Sequence, residues 1–407
     1  MEIRLSVIIF LGWIALSAGH ADSWKNAKDL LGVTSKVPLA DDERMELNRR
    51  NFTKAAVRYG KADLADDVLA AGSHYNTPES YVETILSGWP ICNREMLYGW
   101  TSNAITKLPL AMGYQIHEVH ARLLKITLVG DFLDLEKKVE TINFPNQSQL
   151  LAKDIRNFRA ILRPSIIDYF RHFIFKINFW SELQNNPSAD DVKAWRESRS
   201  LDGFSSNLLL SEASRRVGCG KSYPPEWIAY ATKGLQVGYY NSAPLLNAVL
   251  LYRLAIQENK KEEALAAIEY VESFSLRTPV VSFETYATLL DLAKSCPADG
   301  ISTKKISSII EGMLSRAKTG LNPYEKMLVY PQMAAAFVAL GYSEKAVPLR
   351  EEVLAFIEKD IDPETKGVGL TRLWLSYAVA GDEPEQKALN RIDDQARKIG
   401  MEISSKK

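Results

Sequence analysis

Cysteine is scarce in this chain: Cys92, Cys219 and Cys296 are the only three in 407 residues. Three cysteines so far apart in sequence form at most one disulfide bond, which excludes a disulfide framework. We expect all three to be buried as small apolar side chains, and whether any two of them pair is left open by the sequence. The fold must therefore be stabilised by packing of apolar side chains.

Net charge and long apolar runs are also lacking. The 50 Lys and Arg residues balance the 50 Asp and Glu residues. This balance argues against a nucleic-acid-binding protein, because such proteins usually carry a basic face. After the N-terminus, no uncharged apolar stretch reaches the roughly 20 residues that a transmembrane helix needs. The hydrophobic fraction of 46% is instead typical of an ordinary globular protein.

The first 21 residues have the pattern of a secretory signal. Arg4 precedes an apolar run over residues 5–16, and Gly19 and Ala21 are small residues at the third and first positions before the predicted cut. We expect cleavage after Ala21 and export of the mature chain to the periplasm or beyond, without a transmembrane segment. An uncleaved N-terminal anchor is the alternative.

The C-terminal half of the chain is periodic. Four turn residues recur at intervals of 41, 41 and 40 residues: Asn259, Gly300, Gly341 and Gly381. Glycine supplies the left-handed backbone that ends a helix, and asparagine is the next best residue for it. The period predicts four stacked helix pairs over residues 246–403, with the last pair as a polar cap and a basic tail at 404–407.

Apolar residues spaced three and four apart support these helices, since such spacing puts them on one stripe. The stripes of the four first helices are Leu251, Leu254 and Ala255; Phe283, Tyr286, Leu290 and Ala293; Met333, Ala334, Phe337 and Leu340; and Leu370, Leu373, Trp374 and Tyr377. Those of the second helices are Ala264, Leu265, Ile268 and Val271; Ile306, Ile309, Met313 and Ala317; Ala346, Leu349, Val353 and Ile357; and Ala388, Ile392, Ala396 and Ile399. Prolines that follow Thr278, Asn322 and Asp362 separate the pairs.

Residues 333–346 resemble the signature of the tetratricopeptide-like repeat family. Ala334, Phe337, Gly341 and Ala346 occupy its small, aromatic, turn and alanine positions. The resemblance implies an all-α fold, an α-solenoid of stacked helix pairs with a concave surface, and it implies no ligand. The spacing here is longer than the family's usual period of about 34 residues. Fainter versions of the signature surround two further positions, Gly60 and Gly130–Asp131.

Residues 22–245 are predicted to be helical but irregular. Helices are expected to start at Asp42 and at Thr77–Pro78, where acidic, capping and proline residues occur together. Residues 166–180 predict an aromatic helix buried in the core, with a partner groove or membrane-facing surface as the alternative.

Several motifs resemble phosphate-binding or metal-binding motifs but lack residues or spacings that those motifs require. Gly220-Lys221-Ser222 has Arg215 where a phosphate-binding loop needs glycine, so it predicts a helix end. His117 and His120 are three apart rather than four, and a metal would need a third donor such as His74. We therefore predict no catalytic, cofactor-binding or metal-binding residue.

We expect the remaining polar groups to lie on the protein surface. The adjacent carboxylate pairs Asp66–Asp67, Glu351–Glu352 and Asp393–Asp394 diverge by about 100° on a helix, so we expect them to be solvated. Asn51 and Asn146 begin glycosylation triplets that are used only in a eukaryotic host.

Two classes of function remain. We expect an exported, non-enzymatic scaffold that binds a protein or peptide partner on its helical repeats. The alternative is a polysaccharide hydrolase or lyase on an α/α toroid, with five aromatic residues as candidates for sugar stacking: Trp100, Trp195, Trp227, Tyr239 and Tyr240. Self-association as an envelope component is a third reading.

Overall fold

The computed structural model describes residues 21–34, 42–71, 77–90, 94–108, 116–142, 158, 162, 203–224, 227–228, 243–275, 283–296, 301–359 and 361–400. Every regular element in these ranges is a helix, which confirms the predicted all-α class. The chain forms two compact units, one of residues 1–75 with 268–407 and one of residues 76–267. None of the described helices is long and apolar enough to cross a membrane.

The N-terminal helices of the first unit are α1 Ala21–Thr34, α2 Asp42–Arg58 and α3 Ala62–Ala71. The second unit contains α4 Pro78–Gly88, α5 Arg94–Lys107, α6 Ile116–Gly130, α7 Leu133–Thr141, α8 Gly203–Gly218 and α9 Ala243–Gln257. The boundary between the units falls within α10 Lys261–Ser275. The rest of the first unit is α11 Phe283–Lys294, α12 Ile301–Gly320, α13 Pro323–Ala339, α14 Ser343–Ile357, α15 Pro363–Ala380 and α16 Gln386–Lys398. The apolar run of the signal, residues 166–180 and the basic tail lie outside the described residues.

Five first helices begin at a constant interval of 40 residues: α8 at Gly203, α9 at Ala243, α11 at Phe283, α13 at Pro323 and α15 at Pro363. The turn residues had placed the start of the periodic part at residue 246. The constant interval adds one earlier first helix, α8, to it. Gly220 is the turn residue that belongs to this added helix, 39 residues before Asn259.

The turns themselves have the predicted left-handed backbone. Asn259, Gly341 and Gly381 have φ values of 57°, 85° and 79°, whereas Gly300 lies outside the described residues. At Gly341, the amide of Gly341 donates to Val338 and that of Tyr342 to Phe337, each over 2.9 Å. These two bonds are the Schellman pattern that satisfies the last carbonyls of a helix. The same pair of bonds closes four other turns: Gly60, Asp131, Gly220 and Asn259.

Three of the described helix starts carry side-chain caps, and the sequence predicted the one at Thr77. Asn322 and Glu325 form a reciprocal capping box at α13, with Pro323 as the first helical residue. The Asp362 side chain accepts a 2.8 Å bond from the Thr365 amide at α15, and Thr77 caps α4 in the same way. These caps satisfy amides that lack a partner within the first turn.

The predicted apolar stripes are buried along the first and second helices, with few exceptions. Leu265 is 37% exposed, because it follows Ala264 by one residue and so points about 100° away from the buried stripe. Leu251, Ala388 and Ile399 are half-buried. The side chain of Phe283 lies outside the described residues.

The first helix of each pair packs on the first helices of the neighbouring pairs. In the first unit, α13 packs between α11 and α15, while α14 folds back on α13. Gly369 permits the close approach of α15, since a Cβ there would lie 2.7 Å from Met327 Sδ and 2.8 Å from Ile357 Cγ1. This is the stacking that helix-pair repeats require.

In the second unit, α8 and α9 run side by side in the same direction. Leu210 and Leu250 hold the same position in their helices and share one core cluster, and Ser214 Oγ lies 3.1 Å from Gln257 Oε1 farther along. Parallel packing of consecutive first helices follows from the period of one helix pair. The hairpins α4–α5 and α6–α7 pack beside one another in the same unit.

Helix α15 is buried on all sides. The neighbouring repeat helices alone would leave part of it exposed if α15 and α16 were only a polar cap. Its buried residues run without interruption from Gly367 to Trp374. A helix that is apolar all round must be covered all round. The additional cover comes from the other end of the chain, since α1 packs along α15 and α2 joins it. The prediction of α15–α16 as a simple polar cap is therefore incomplete.

Candidate functional site

Within the described part of the first unit, a cluster of charged residues lies near the C-terminal ends of α2, α11 and α15. We call it the helix-end cluster, and its members are Arg58, Tyr59, Asp291, Lys294, Arg350 and Asp382. Arg58 Nη1 lies 2.7 Å from Asp291 Oδ2, and Tyr59 Oη donates a 2.8 Å bond to Asp291 Oδ1. Arg58 and Tyr59 stand at the C-terminus of α2, directly before the left-handed Gly60.

The other half of the helix-end cluster is centred on Arg350. Its Nη2 lies 2.9 Å from Asp382 Oδ1, and its Nη1 contacts the other carboxylate oxygen. The guanidinium also stacks 3.9 Å above the ring centroid of Tyr377 and donates to Ser376. A planar guanidinium suits this combination of bidentate pairing and stacking, and a lysine would not reproduce it.

Lys294 completes the helix-end cluster. Its Nζ donates to the Val379 carbonyl near the end of α15 and lies 5.0 Å from the ring centroid of Tyr59. A helix C-terminus favours a cation, because its last carbonyls carry partial negative charge. Although the residue as a whole is exposed, loss of solvation around the ammonium lowers the pKa of Lys294.

The helix-end cluster therefore joins helices rather than presenting a free base. Asp291 accepts bonds at both oxygens from Arg58 and Tyr59, and both oxygens of Asp382 face Arg350. A general base needs a lone pair within reach of its substrate's proton. Here those lone pairs link the C-terminal ends of α2 and α11 to each other, and the middle of α14 to the residues that follow α15.

A second polar centre lies inside the second unit, around Glu212 of α8. The side chain of Glu212 is 1% exposed and accepts bonds of 2.9 Å from Trp89 Nε1, 2.7 Å from Arg215 Nε and 2.8 Å from Arg216 Nε. Burial by itself raises the pKa of Glu212, but the three donors outweigh burial and hold the pKa below its ordinary value. Glu212 is therefore an ionised anchor between α4 and α8, and not a proton donor.

The histidine pair does not assemble a described metal site. His120 is buried, and its Nε2 lies 2.9 Å from the Val139 carbonyl, so it links α6 to α7. The side chains of His117 and His74 lie outside the described residues. Within the described ranges, no group of three His, Cys, Asp or Glu residues is placed to hold a metal.

The Gly220-Lys221-Ser222 motif is a helix end, as predicted. Helix α8 stops at Gly218, and Gly220 has a φ of 68°. A phosphate-binding loop follows a strand and opens a helix, whereas this turn follows a helix. Glycine is needed here for its left-handed backbone.

Two of the candidate sugar-stacking aromatics are core residues. Trp100 and Trp227 are 3% and 2% exposed, and Arg216 covers the Trp227 ring with its guanidinium 4.8 Å from the centroid. Neither face of a buried indole is open to a sugar. Trp195, Tyr239 and Tyr240 lie outside the described residues.

The prediction for the cysteines is wrong for two of the three. Cys219 is exposed and Cys296 is half-buried, and both are free thiols. Each stands at the C-terminal end of a helix, where the chain leaves the core. Cys92 lies outside the described residues.

Surface polar groups are placed largely as expected. Asp66, Asp67, Glu351 and Glu352 are exposed. Asn51 lies within α2, and its Nδ2, the atom that would carry a glycan, is buried. A folded chain therefore does not present Asn51 for glycosylation, and Asn146 lies outside the described residues.

Sequence reasoning missed a ladder of ion pairs that links consecutive second helices of the first unit. Its rungs are Glu269–Lys305 from α10 to α12, Glu311–Lys345 from α12 to α14, and Glu351 and Glu358 with Arg391 from α14 to α16. In each rung the acid lies on the earlier helix and the base on the later one. An acid and a base separated by about one repeat would have been the signal for it. Each exposed rung contributes only about 0–1 kcal/mol, so the ladder aligns the helices more than it stabilises them.

The chain was compared with known proteins after its geometry was established. No protein-family model, curated protein or solved structure matches it. A functional reading therefore rests on the arrangement of its own residues.

Proposed function

We propose that this protein is an exported, non-enzymatic scaffold that binds a protein or peptide partner on its helical repeats. The observation that carries the proposal is the regular stacking of first helices α11, α13 and α15, with second helices aligned by the ion-pair ladder. Stacked helix pairs offer an extended ridged surface without a catalytic pocket. The polar groups Asp291, which is half-buried, and Glu212 and His120, which are buried, support the same proposal, because each joins helices.

The second helices are the favoured binding surface. Helices α13 and α15 are buried along most of their length. This leaves little of the surface of these two first helices open to a partner. The outer face of α14 is open, with exposed residues spaced three or four apart: Glu344, Val347, Glu351 and Ala355. Val347 is 51% exposed and provides an apolar centre among acidic neighbours.

Cross-linking capture from the cell envelope tests the proposal. The mature protein is cross-linked in the host, purified and analysed by mass spectrometry, alongside Val347→Asp and Leu133→Asp variants. Leu133 is the matched control, since it is another exposed apolar residue, at 55%, in the other unit. We expect Val347→Asp to reduce partner recovery by about ten-fold or more and Leu133→Asp to leave it unchanged, with equal melting temperatures. Equal recovery from both variants would remove α14 as the binding surface.

Export is part of the proposal and has its own test. N-terminal sequencing of the protein from a periplasmic or culture fraction should begin at Asp22. Retention of residues 1–21 in a membrane fraction would favour the uncleaved anchor.

The enzyme alternative retains one supporting observation. An α/α toroid needs helices from the two ends of its chain to meet, and α1 does pack on α15. Turnover on a panel of glycans, together with no captured partner, would favour this alternative. A light-scattering mass well above that of one chain would instead favour self-association.

A further inference from the structure

Acidic and apolar residues alternate along the outer face of α14. Glu344, Val347, Glu351 and Ala355 are exposed and follow one another at intervals of three, four and four residues, so they lie on one side of the helix. Val347 is 51% exposed, and the neighbouring Pro348 is exposed as well. We call these five residues the α14 stripe. It presents an apolar centre to solvent between two carboxylates.

The α14 stripe carries more negative charge than its neighbours neutralise. Glu344 belongs to no ion pair in the described part of the chain. Glu351 and Glu358 share one arginine, since Arg391 Nη1 lies 2.6 Å from Glu351 Oε2 and Arg391 Nε lies 2.6 Å from Glu358 Oε1. Hydrogen bonds to Glu358 and then to Glu351 raise the pKa of Arg391. One guanidinium balances only one of these two carboxylates, so negative charge remains there and at Glu344.

The other charged residues of α14 are engaged elsewhere. Lys345 is paired with Glu311 of α12, and Arg350 is buried. Glu352, the remaining acid of the helix, is matched by Lys326 of α13 over 3.2 Å. The excess of negative charge on α14 is therefore confined to the stripe.

The chemistry of the α14 stripe selects a class of partner. Its side chains accept hydrogen bonds and donate none, and a carboxylate pairs best with the donors of arginine or lysine. Glu344 and Glu351 are two turns apart, about 10 Å along the helix axis. A complementary segment has two cations at that separation with an apolar residue between them, which a helix provides when the cations are seven residues apart. The same charge disfavours nucleic acids and anionic lipid surfaces.

We infer that the α14 stripe binds a basic amphipathic helix of the partner, with arginine or lysine opposite Glu344 and Glu351 and an apolar residue on Val347. The inference rests on the proposed function for the existence of that partner, and it names the partner's chemistry. Opposite charges speed the encounter and fix the register of the bound helix along α14. Because these charges are exposed, salt screens them, and binding weakens as the salt concentration rises.

Nuclear magnetic resonance of the mature protein with labelled valine methyl groups tests the inference without the natural partner. Two helical peptides of alanine and glutamine are compared. One carries two arginines seven residues apart with a leucine between them, and the other carries glutamates in place of the arginines. The Val347 methyl signals, assigned by their loss in Val347→Ala, should shift saturably with the arginine peptide and stay in place with the glutamate peptide. Raising the salt concentration from about 0.05 M to about 0.5 M should weaken arginine-peptide binding about ten-fold.

Two charge variants separate the α14 stripe from the general acidity of the surface. Glu344→Gln should weaken binding of the arginine peptide about two- to five-fold. Asp63→Asn is the matched control, since Asp63 is an exposed acid of α3, and it should leave binding unchanged. An absent Val347 shift, equal binding of the two peptides, or equal effects of the two variants would overturn the inference.

Failure of this inference is distinguishable from failure of the scaffold function. If capture from the envelope yields a partner that depends on Val347 but is cross-linked through an acidic or neutral segment, the scaffold function stands and the basic helix is wrong. If the arginine peptide binds at Val347 but no partner is captured, the chemistry of the α14 stripe stands and the scaffold function fails.

Discussion

Replacing Gly341 by alanine tests whether backbone conformation alone makes glycine necessary between α13 and α14. Gly341 has a φ of 85°, and a Cβ built there meets no atom within 4 Å. The substitution therefore adds no clash, and its cost is that of an L residue in the left-handed region. We expect a loss of about 1–2 kcal/mol in the free energy of unfolding, with a larger loss for Gly341→Val because of its branched Cβ.

Gly312→Ala is the matched control. Gly312 lies inside α12, and its Cβ would likewise meet no atom within 4 Å. Its backbone is helical, so alanine should increase the free energy of unfolding by about 0.5–1 kcal/mol. The same methyl group is thus expected to have opposite effects at two positions of one compact unit.

Denaturant unfolding and thermal unfolding, both followed by far-ultraviolet circular dichroism, measure the two variants on the same transition. At about 2–4 °C per kcal/mol for a unit of this size, Gly341→Ala should lower the melting temperature by about 2–8 °C. Gly312→Ala should raise it by a smaller amount. Effects of the same sign, or a neutral Gly341→Ala, would refute the assignment of the turn.

Three further predictions concern single residues. Asn259→Gly should raise the free energy of unfolding by about 0.5–1 kcal/mol, measured by thermal unfolding, because Asn259 has a φ of 57° that glycine adopts without strain; a loss of stability would mean that its side chain is needed. Glu212→Gln should cost about 1–3 kcal/mol in urea unfolding, since it removes the charge that Arg215 and Arg216 face. The exposed Glu118→Gln control should change stability by no more than about 0.5 kcal/mol, and similar effects of the two variants would contradict the anchor role. Burial raises the pKa of three tyrosines to about 12: Tyr286, Tyr330 and Tyr377. Their folded pKa values lie above the unfolded value of about 10, so the stability they contribute is complete below pH ~10 and is lost as the pH rises toward about 12. Ultraviolet titration should show them ionising together with unfolding, and ionisation in the native state near pH 10 would contradict their burial.

Local features of the repeats could be predicted because they depend on neighbours in sequence. A left-handed turn excludes most side chains, so Gly341 and Gly381 were identifiable as turn residues. The capped helix starts at Asn322 and Asp362 likewise depend only on residues within the first turn of each helix. The start of the repeat array was harder to predict, because its turn residue Gly220 lies in a segment that resembles part of a phosphate-binding loop.

The polar centres could not be predicted, because their members are distant in sequence. Arg58 and Asp291 are 233 residues apart, and Trp89 and Glu212 are 123 apart. No short pattern links such pairs, and Arg58, Asp291 and Glu212, taken singly, each look like solvated surface residues. For Cys219 the sequence predicted burial, because cysteine is usually a buried residue. Its position at a helix end exposes it instead.

The sequence by itself determined the helices of this protein, their apolar stripes and the turns between them. These properties follow from the spacing of apolar residues and from the backbone that each turn residue allows. Only the tertiary structure decided what covers α15, which faces stay open, and how Arg58, Asp291, Arg350 and Asp382 link their helices. An apolar face specifies that it must be covered, but its partner is selected by three-dimensional packing. That is why α1, at the far end of the chain, could be found there only in the folded protein.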